Sequence, residues 1–276
     1  MVENTAPSQD LSNKMTKPSH QAFLDAALHA AEESARLIRS YYQGNFEIET
    51  KADQTPVTVA DRESEQVIKK ILLGAFPDHG FYGEESGKTQ ANAEYLWLVD
   101  PIDGTKSFVA GYGMFSTQIA LMHRGELVLG VSSAPAHQEM AWAIRDGEAR
   151  VNGKVAQLRH IQEIGQAAIS TGNIQSLAAS SRWQALGDIL ARCNRTRGYG
   201  DYYHYHRLAA GQIDAVIESD VNILDIAALV VIVEAAGGVF TDLDGQAVGL
   251  QTRSVLAAGP ALHSQLLAKL RDGGTK

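Results

Sequence analysis

The sequence predicts an α+β fold in its N-terminal half and an α/β fold in its C-terminal half. Strand-like segments follow one another in a block between residues 95 and 144, whereas helical and strand-like segments alternate from residue 167 onward. Strands in blocks are typical of α+β architectures, and alternation is typical of α/β architectures. With 276 residues, the chain is long enough for one large domain or two modest ones. We place the boundary after residue 154, between halves that span residues 19–154 and 155–276.

Helical periodicity and turn residues place the elements of the first half. Residues 1–18 are polar, so we expect a disordered tail. The predicted elements after it are an amphipathic helix over 19–44, a strand over 46–50, a turn over 51–56, a second helix from Thr58, and an antiparallel meander over 117–123, 127–133 and 140–144 that leads to a hairpin at 151–154.

The second half alternates between the two kinds of element. The predicted strands cover 167–171, 213–218, 239–241 and 255–258, and the predicted helices cover 180–191, 202–210, 225–236 and 260–270.

Composition and charge exclude several kinds of partner. The formal net charge is −8 at pH 7, which offers no basic footprint for nucleic acid or for an anionic membrane. The single cysteine, Cys193, excludes an intrachain disulfide and suits a reducing compartment. No stretch has the apolar length of a membrane span, and no apolar signal core lies near Met1. We therefore expect a cytoplasmic protein.

The stretch 95–108 carries the strongest chemical signal. Five apolar residues lead into Asp100, Pro101 is expected to end the strand pairing, and a helix can begin after Asp103 and Gly104. Two aspartates across a tight turn can both reach one Mg²⁺ cluster, because hard cations take several oxygen ligands. The amides at the helix start favour phosphate. This pattern indicates metal plus phosphate, although the same residue types also make ordinary turns.

Two further motifs accompany this stretch, Gly83-Glu84-Glu85-Ser86 upstream and Leu224-Asp225-Ile-Ala-Ala downstream. With them the chain resembles the inositol monophosphatase family, the lithium-sensitive, Mg²⁺-dependent phosphomonoesterases, from about Ser19 onward. The resemblance implies a layered α-β-α-β-α sandwich with a metal cluster in the cleft between the halves. It also implies roughly two to three Mg²⁺ ions per site, a small phosphate ester as substrate, and a homodimer.

The resemblance also assigns roles to individual residues. The implied metal ligands are the carboxylates of Glu84, Asp100, Asp103 and Asp225 and the carbonyl of Ile102. One departure concerns Leu224, because the family usually has Trp immediately before this aspartate, so the packing around the ligand must differ.

Four other residues receive supporting roles from the resemblance. Asp61 would serve a further, weaker metal site and orient the attacking water, although an Asp near a helix start is most often only a cap. Lys51 would moderate the negative charge, and Glu85 would act near the metals. Thr105, with Glu84 or Asp61, would take the proton of the water.

The implied reaction is direct hydrolysis, because a phosphate monoester in water is protected by its own negative charge. Metal ions would offset that charge, and the amides of Gly104 and Thr105 would hold the phosphate, with no covalent intermediate. The histidines are scattered, so we expect His204 and His206 to be structural or rim residues.

The segment 197–203 is most similar to the histidinol-phosphatase branch of this family, which serves histidine biosynthesis. Arg197, Asp201, Glu218 and Asp220 are then expected near the organic part of the substrate. An acidic rim would attract the ammonium group of histidinol phosphate. Inositol-1-phosphate and, less favoured, 3'-phosphoadenosine 5'-phosphate are alternative substrates within the family. Some of these acids could instead face solvent, and Arg197 or Arg207 could supply a basic patch. A non-catalytic, sugar-phosphate-binding regulator is the alternative from a different class.

Overall fold

The computed structural model describes residues 20–42, 44, 48–50 and 56–272. The predicted tail over 1–18 and most of the predicted turn, with Lys51, lie outside the described residues. The helices are α1 (His20–Tyr41), α2 (Val59–Ala75), α3 (Thr105–Val109), α4 (Ile174–Ala178), α5 (Trp183–Leu190), α6 (Asp201–Ala209), α7 (Ile223–Ala235) and α8 (Pro260–Asp272).

The strands form two large sheets and a small antiparallel pair. They are β1 (Ile48–Thr50), β2 (Pro56–Thr58), β3 (Gly80–Gly83), β4 (Gly87–Thr89), β5 (Tyr95–Asp103), β6 (Ser116–His123), β7 (Glu126–Ala134), β8 (Glu139–Ile144), β9 (Arg150–Val151), β10 (Lys154–Val155), β11 (Ala168–Gly172), β12 (Arg195–Arg197), β13 (Ala215–Ser219), β14 (Val239–Thr241) and β15 (Ser254–Ala258).

The first large sheet has the order β10-β9-β8-β7-β6-β5-β3-β4, and within it only β3 and β5 run parallel. Helices α1 and α2 cover one of its faces, where Phe23 and Ile68 pack with Trp97 and Leu121. The apolar stripes that predicted these two helices are therefore the surfaces that bury this face.

The second sheet has the order β12-β11-β13-β15-β14, with β11 parallel to both of its neighbours and β15 antiparallel to both of its own. Helix α7 lies between the sheets, in one core with Leu98 and Ala120 of the first and Val216 and Val255 of the second. Its residues are buried on all sides, which is why its sequence is apolar all round.

Helices α4, α5 and α8 cover the outer face of the second sheet, where Leu177, Leu186 and Leu266 pack on Ile169 and Ile217. The layers are therefore helix, sheet, helix, sheet and helix, which confirms the predicted sandwich. None of the helices in the described ranges is long and apolar enough to cross a membrane.

Two local predictions are wrong in an informative way. Strand β5 does not end at Pro101: its pairing with β6 runs from Asp100↔Gln118 to Asp103↔Ser116 through a β-bulge. The bulge accommodates a proline that has no N–H to donate to the ladder. Helix α7 begins before Asp225, because Asn222 is its N-cap. The short elements β4, α4 and β12 were not predicted.

Candidate active site

A cleft of about 430 Å³ opens where the end of β5 meets the N-termini of α3, α6 and α7. The predicted metal-binding residues that line it are Glu84, Asp100, Ile102, Asp103 and Asp225. Gly104, Thr105 and Asp201 line it as well. Five lining side chains are carboxylates and one, that of Lys106, is basic. The cleft is therefore suited to a divalent cation or to a cationic group of a ligand.

Three carboxylates converge at the base of the cleft. Ligand oxygens of Asp100, Asp103 and Asp225 all lie within 4.8 Å of one another. In a regular strand, residues three apart point to opposite faces. The β-bulge between Asp100 and Asp103 adds one residue to the count, so both side chains can face the same point. Asp225 approaches from the first turn of α7.

The electrostatics of this group are those of a cation site. Burial, together with the charges of Glu84, Asp103 and Asp225, holds the pKa of Asp100 well above its usual range. Burial and the charges of Asp201 and Asp225 act in the same direction on the pKa of Asp103. Burial raises the pKa of Asp225 to about 7, against the lowering effect of its hydrogen bonds from Asn222.

One oxygen in the group has no hydrogen-bond partner. Asp100 Oδ1 is buried and accepts no hydrogen bond within the described part of the chain. A buried carboxylate oxygen without a donor is costly unless a cation is bound there. The other donors are carboxylate and carbonyl oxygens, which Mg²⁺ prefers over thiolates and imidazoles. The residues present therefore fit a magnesium site.

Glu84 reaches the cleft from the loop after β3. Its N–H donates to the carbonyl of Val99 at 3.1 Å, and its carboxyl is within hydrogen-bonding reach of Asp100. The next residue differs, because the N–H of Glu85 is bound to Glu65 Oε2 at 2.7 Å and the side chain is not part of the described cleft lining.

Thr105 connects the cleft to α2. Its hydroxyl lies 3.1 Å from Asp61 Oδ1 and 3.0 Å from the carbonyl oxygen of Ile102. Asp61 is buried at the third position of α2, where its Oδ2 accepts hydrogen bonds from the N–H and the hydroxyl of Thr58. Burial raises the pKa of Asp61. Asp61 thus caps α2 and also contacts Thr105, but it is not part of the described cleft lining, and its role toward a metal ion or the attacking water stays a prediction.

Gly104 adopts a backbone conformation that few other residues accept. Its φ is +87°, and a Cβ there would lie 2.7 Å from the carbonyl oxygen of Met114. This turn starts α3, whose first amides have no intrahelical partner. Lys106 and Ser107 of the same turn line the cleft. The turn can therefore present N–H groups to an anion.

Asp201 and Glu218 occupy different positions relative to the cleft. Asp201 lines it, and burial together with the charge of Glu218 raises the pKa of Asp201 to about 6. Glu218 is buried behind it, where its Oε2 accepts the hydroxyl of Tyr205 at 2.6 Å and lies 3.1 Å from His204 Nε2. The expectation that Glu218 forms part of an exposed rim is therefore wrong.

Two other residues predicted near the substrate stand apart from the cleft. Arg197 lies in the edge strand β12 and donates to the carbonyl of Thr196 at 2.8 Å. Asp220 is exposed after β13 with a φ of +59°. Neither belongs to the cleft lining among the described residues.

The two histidines of α6 are structural, and the rim alternative is wrong. His204 and His206 are fully buried. His206 Nδ1 lies 2.8 Å from Glu139 Oε1, and its Nε2 lies 2.8 Å from Ser132 Oγ. Arg207 forms an ion pair with the same Glu139, so it supplies no basic patch to the cleft.

Sequence reasoning missed four residues of the cleft lining: Lys106, Ser107, Tyr112 and Asn173. The first two follow the predicted motif directly and could have been included on that ground. Tyr112 and Asn173 carry no local signal, because α3 and the end of β11 bring them to the cleft only through the tertiary fold.

The sequence and the fold are both similar to those of known proteins. The model of the inositol monophosphatase family matches residues 19–275. A histidinol-phosphatase of Mycobacterium tuberculosis is 35% identical over 253 residues, which cover 90% of this chain and 97% of that protein. The bifunctional phosphatase IMPL2 of Arabidopsis thaliana chloroplasts is 34% identical over 98% of this chain and 79% of its own length. The solved structure of an inositol monophosphatase from Zymomonas mobilis superposes with a TM-score of 0.81 at 32% identity, covering 92% of this chain and all of that one.

Proposed function

The chain belongs to the inositol monophosphatase family and is a phosphoric monoester hydrolase, and on that premise we propose that it hydrolyses histidinol phosphate with Mg²⁺ as its cofactor. The observation that carries the proposal is the convergence of Asp100, Asp103 and Asp225 beside the turn at Gly104 that starts α3.

Five groups would hold the metal: the carboxylates of Glu84, Asp100, Asp103 and Asp225 and the carbonyl of Ile102. Bound Mg²⁺ supplies positive charge that offsets the charge of the phosphate ester and activates water. The three aspartates, whose ligand oxygens lie within 4.8 Å of one another, would supply the negative charge that holds the ions. The proposal includes the binding of roughly two to three Mg²⁺ ions per site.

The chain's own groups would position the phosphate and move the proton. The first N–H groups of α3, from Thr105 onward, would hold the oxygens of the phosphate. The hydroxyl of Thr105 can accept a proton from the attacking water as it donates its own to Asp61 Oδ1, 3.1 Å away. Burial raises the pKa of Asp61, which makes it a better acceptor for that proton. Glu84 is the alternative acceptor.

The charge of the cleft favours histidinol phosphate among the three candidate esters. The described lining contains the carboxylate of Asp201 and no arginine. An ammonium group near Asp201 would form a charge-assisted hydrogen bond. Inositol-1-phosphate offers only hydroxyls there, and 3'-phosphoadenosine 5'-phosphate brings further negative charge into an acidic cleft. The relative from M. tuberculosis, named a histidinol-phosphatase, supports the same choice.

Phosphate release from the three esters, measured side by side, tests the proposal. We expect kcat/KM to be highest for L-histidinol phosphate and Asp201→Asn to erode that preference about tenfold, as for the loss of one charged hydrogen bond. Asp220→Asn, an exposed aspartate outside the cleft, is the matched control and should leave the preference unchanged. A higher kcat/KM for inositol-1-phosphate would move the assignment to inositol monophosphatase.

Chelator and lithium test the metal requirement in the same assay. Protein stripped of metal should be inactive, should recover with Mg²⁺, and should be inhibited by lithium. Full activity without metal would overturn the mechanism, and no turnover of any ester with Mg²⁺ would favour the non-catalytic regulator. The homodimer stays a prediction, which light scattering of the purified protein checks.

A further inference from the structure

The loop that carries Glu84 is held by the carboxylate of Glu65, a residue that has no role in the proposed reaction. Glu65 of α2 is buried, with 2% of its surface exposed. Its Oε2 accepts the N–H of Glu85 at 2.7 Å, and its Oε1 accepts the N–H of Ser86 at 2.8 Å. Both oxygens of one side chain thus bind the two amides that follow the candidate ligand.

The carboxylate of Glu65 lies so close to the loop that a side chain at position 83 would displace it. A Cβ at Gly83 would lie 2.3 Å from Glu65 Oε2 and 2.7 Å from the ring of Phe81. On the other side of the loop, the N–H of Glu84 donates to the carbonyl of Val99 at 3.1 Å. The loop is therefore bound by strand β5 at Glu84 and by helix α2 at the next two residues.

Helix α2 makes these contacts along one stripe. Asp61, Glu65 and Lys69 are spaced four residues apart and so lie on the same face. Asp61 contacts Thr105, Glu65 binds the loop, and Lys69 Nζ lies 3.3 Å from Ser86 Oγ. One helix face thus connects the turn at Thr105 to the loop of Glu84.

We propose that Glu65 is a positioning residue, which orients the Glu84 carboxylate toward Asp100 and thereby sets the affinity for Mg²⁺. The inference rests on the proposed function, because it takes Glu84 as a metal ligand. Hydrogen bonds from two N–H groups to an ionised carboxylate are of the strong, charge-assisted kind, and they leave the loop little freedom. Groups that orient ligands in this way typically alter metal affinity by about 10- to 100-fold.

The test compares Glu65→Gln with wild type. The glutamine keeps the size of the side chain but turns an NH₂ group toward one of the two loop amides. We expect calorimetric titration with Mg²⁺ to give about tenfold weaker binding, and hydrogen exchange of the Glu85 and Ser86 amides to become faster. At saturating Mg²⁺, kcat should recover most of its wild-type value, because no reacting group has been removed.

Two further variants keep the test decisive. Gly83→Ala changes the loop instead of the helix, because the added methyl group would displace the carboxylate of Glu65. It should therefore weaken Mg²⁺ binding, and it provides a second test if Glu65→Gln fails to fold. Glu63→Gln is the matched control on the same helix, where the carboxylate accepts the hydroxyl of Tyr41, and it should bind Mg²⁺ like wild type.

The outcomes separate this inference from the proposed function. If wild type binds Mg²⁺ and both Glu65→Gln and Gly83→Ala bind it equally well, the positioning role is overturned and the metal site stands. If wild type binds no Mg²⁺, the proposed metal site is overturned, and the role of Glu65 with it. A uniform loss of stability without a change in Mg²⁺ affinity also overturns the positioning role.

Discussion

Helices α2 and α7 begin with the same arrangement and place an aspartate in two different environments. Each has an N-cap side chain, that of Thr58 or Asn222, that bonds to the first turn. Each has an aspartate at its third position, Asp61 or Asp225, that accepts the N–H of the N-cap residue, at 2.8 and 2.9 Å respectively. By the rules of helix capping alone the two aspartates are equivalent.

What lies opposite each helix start distinguishes them. Asp61 faces the hydroxyl of Thr105, so its oxygens are satisfied by neutral donors. Asp225 faces Asp100 and Asp103, with ligand oxygens within 4.8 Å. A cap therefore fixes the direction of a carboxylate, and the opposing residues decide whether it meets a hydroxyl donor or other carboxylates. We expect Asp225 to act on the metal and Asp61 on the proton.

The largest expected effect is that of Asp225→Asn. Turnover should fall by more than about a hundredfold, beyond what the loss of a supporting residue costs, and Mg²⁺ binding should weaken strongly. The metal-free protein should melt at an unchanged or slightly higher temperature, because one of several crowded negative charges is gone. Asp100→Asn, at the other side of the cluster, should behave in the same way.

Thermal melts with chelator and phosphate release with Mg²⁺ check both parts of this prediction. A large drop in the melting temperature of both variants, without metal, would instead mean that the two aspartates act only as turn and cap residues.

Asp61→Asn should have a smaller effect of a different kind. Turnover should fall about a hundredfold, the lower range for loss of a proton acceptor, while affinity for the tightest Mg²⁺ stays near that of wild type. The comparison variant is Thr58→Ala, which removes the cap of the same helix and one hydrogen bond to Asp61. It should cost about 1 kcal/mol of stability and lower kcat far less than Asp61→Asn does, because the carboxylate of Asp61 stays in place.

Kinetics and calorimetry on these two variants separate the cap from the chemistry. Equal losses of kcat in Asp61→Asn and Thr58→Ala would assign Asp61 to helix capping alone. Asp61 would then have no role in the chemistry, in contrast to the role expected for Asp225.

The same contrast explains how far the sequence could predict the site. Asp100, Asp103 and Gly104 were recognisable because they are adjacent in one motif, and the start of α2 because capping is a local matter. The start of α7 was placed too late, at Asp225, because its N-cap Asn222 was not recognised. The bulge at Pro101 was not predictable, since it depends on pairing with β6, a strand that begins after α3. That bulge decides that both aspartates face one point.

The position of Glu218 and the role of Glu65 were missed for a similar reason. Glu218 was expected at a rim, but Tyr205 and His204 of α6 bind its carboxylate in the interior. Glu65 lies one turn after Asp61, and its spacing was visible in the sequence. Its two partners are backbone amides of a distant loop, which carry no side-chain signal.

The smallest expected effect is a difference in how pH changes the stability of the metal-free protein. Burial raises the pKa of Asp225 to about 7, and it raises the pKa of Asp61 as well, both from the ordinary aspartate value of 3.8. A carboxyl with a raised pKa binds its proton more tightly in the folded state, so the folded state is favoured as pH falls below that pKa. The contribution of Asp225 should therefore grow as pH decreases from about 7 and level off near its unfolded pKa of about 4.

Chelator-treated wild type, Asp225→Asn and Asp61→Asn are compared by thermal melts between pH 8 and 5, roughly the window in which Asp225 changes its protonation state. The free energy of unfolding of wild type, measured relative to that of Asp225→Asn, should rise on the order of 2 kcal/mol as pH falls through this range. Each kcal/mol corresponds to about 2–4 °C in Tm. The corresponding gain relative to Asp61→Asn should be smaller, because hydrogen bonds from Thr58 and Thr105 oppose the effect of burial on Asp61. Differences between variants cancel the titration of groups that Asp225 and Asp61 do not influence, whereas Asp100 and Asp103, whose pKa values the charge of Asp225 raises, titrate together with Asp225. If the Asp225→Asn curve runs parallel to that of wild type, Asp225 titrates like an ordinary cap, and the distinction between the two helix starts fails.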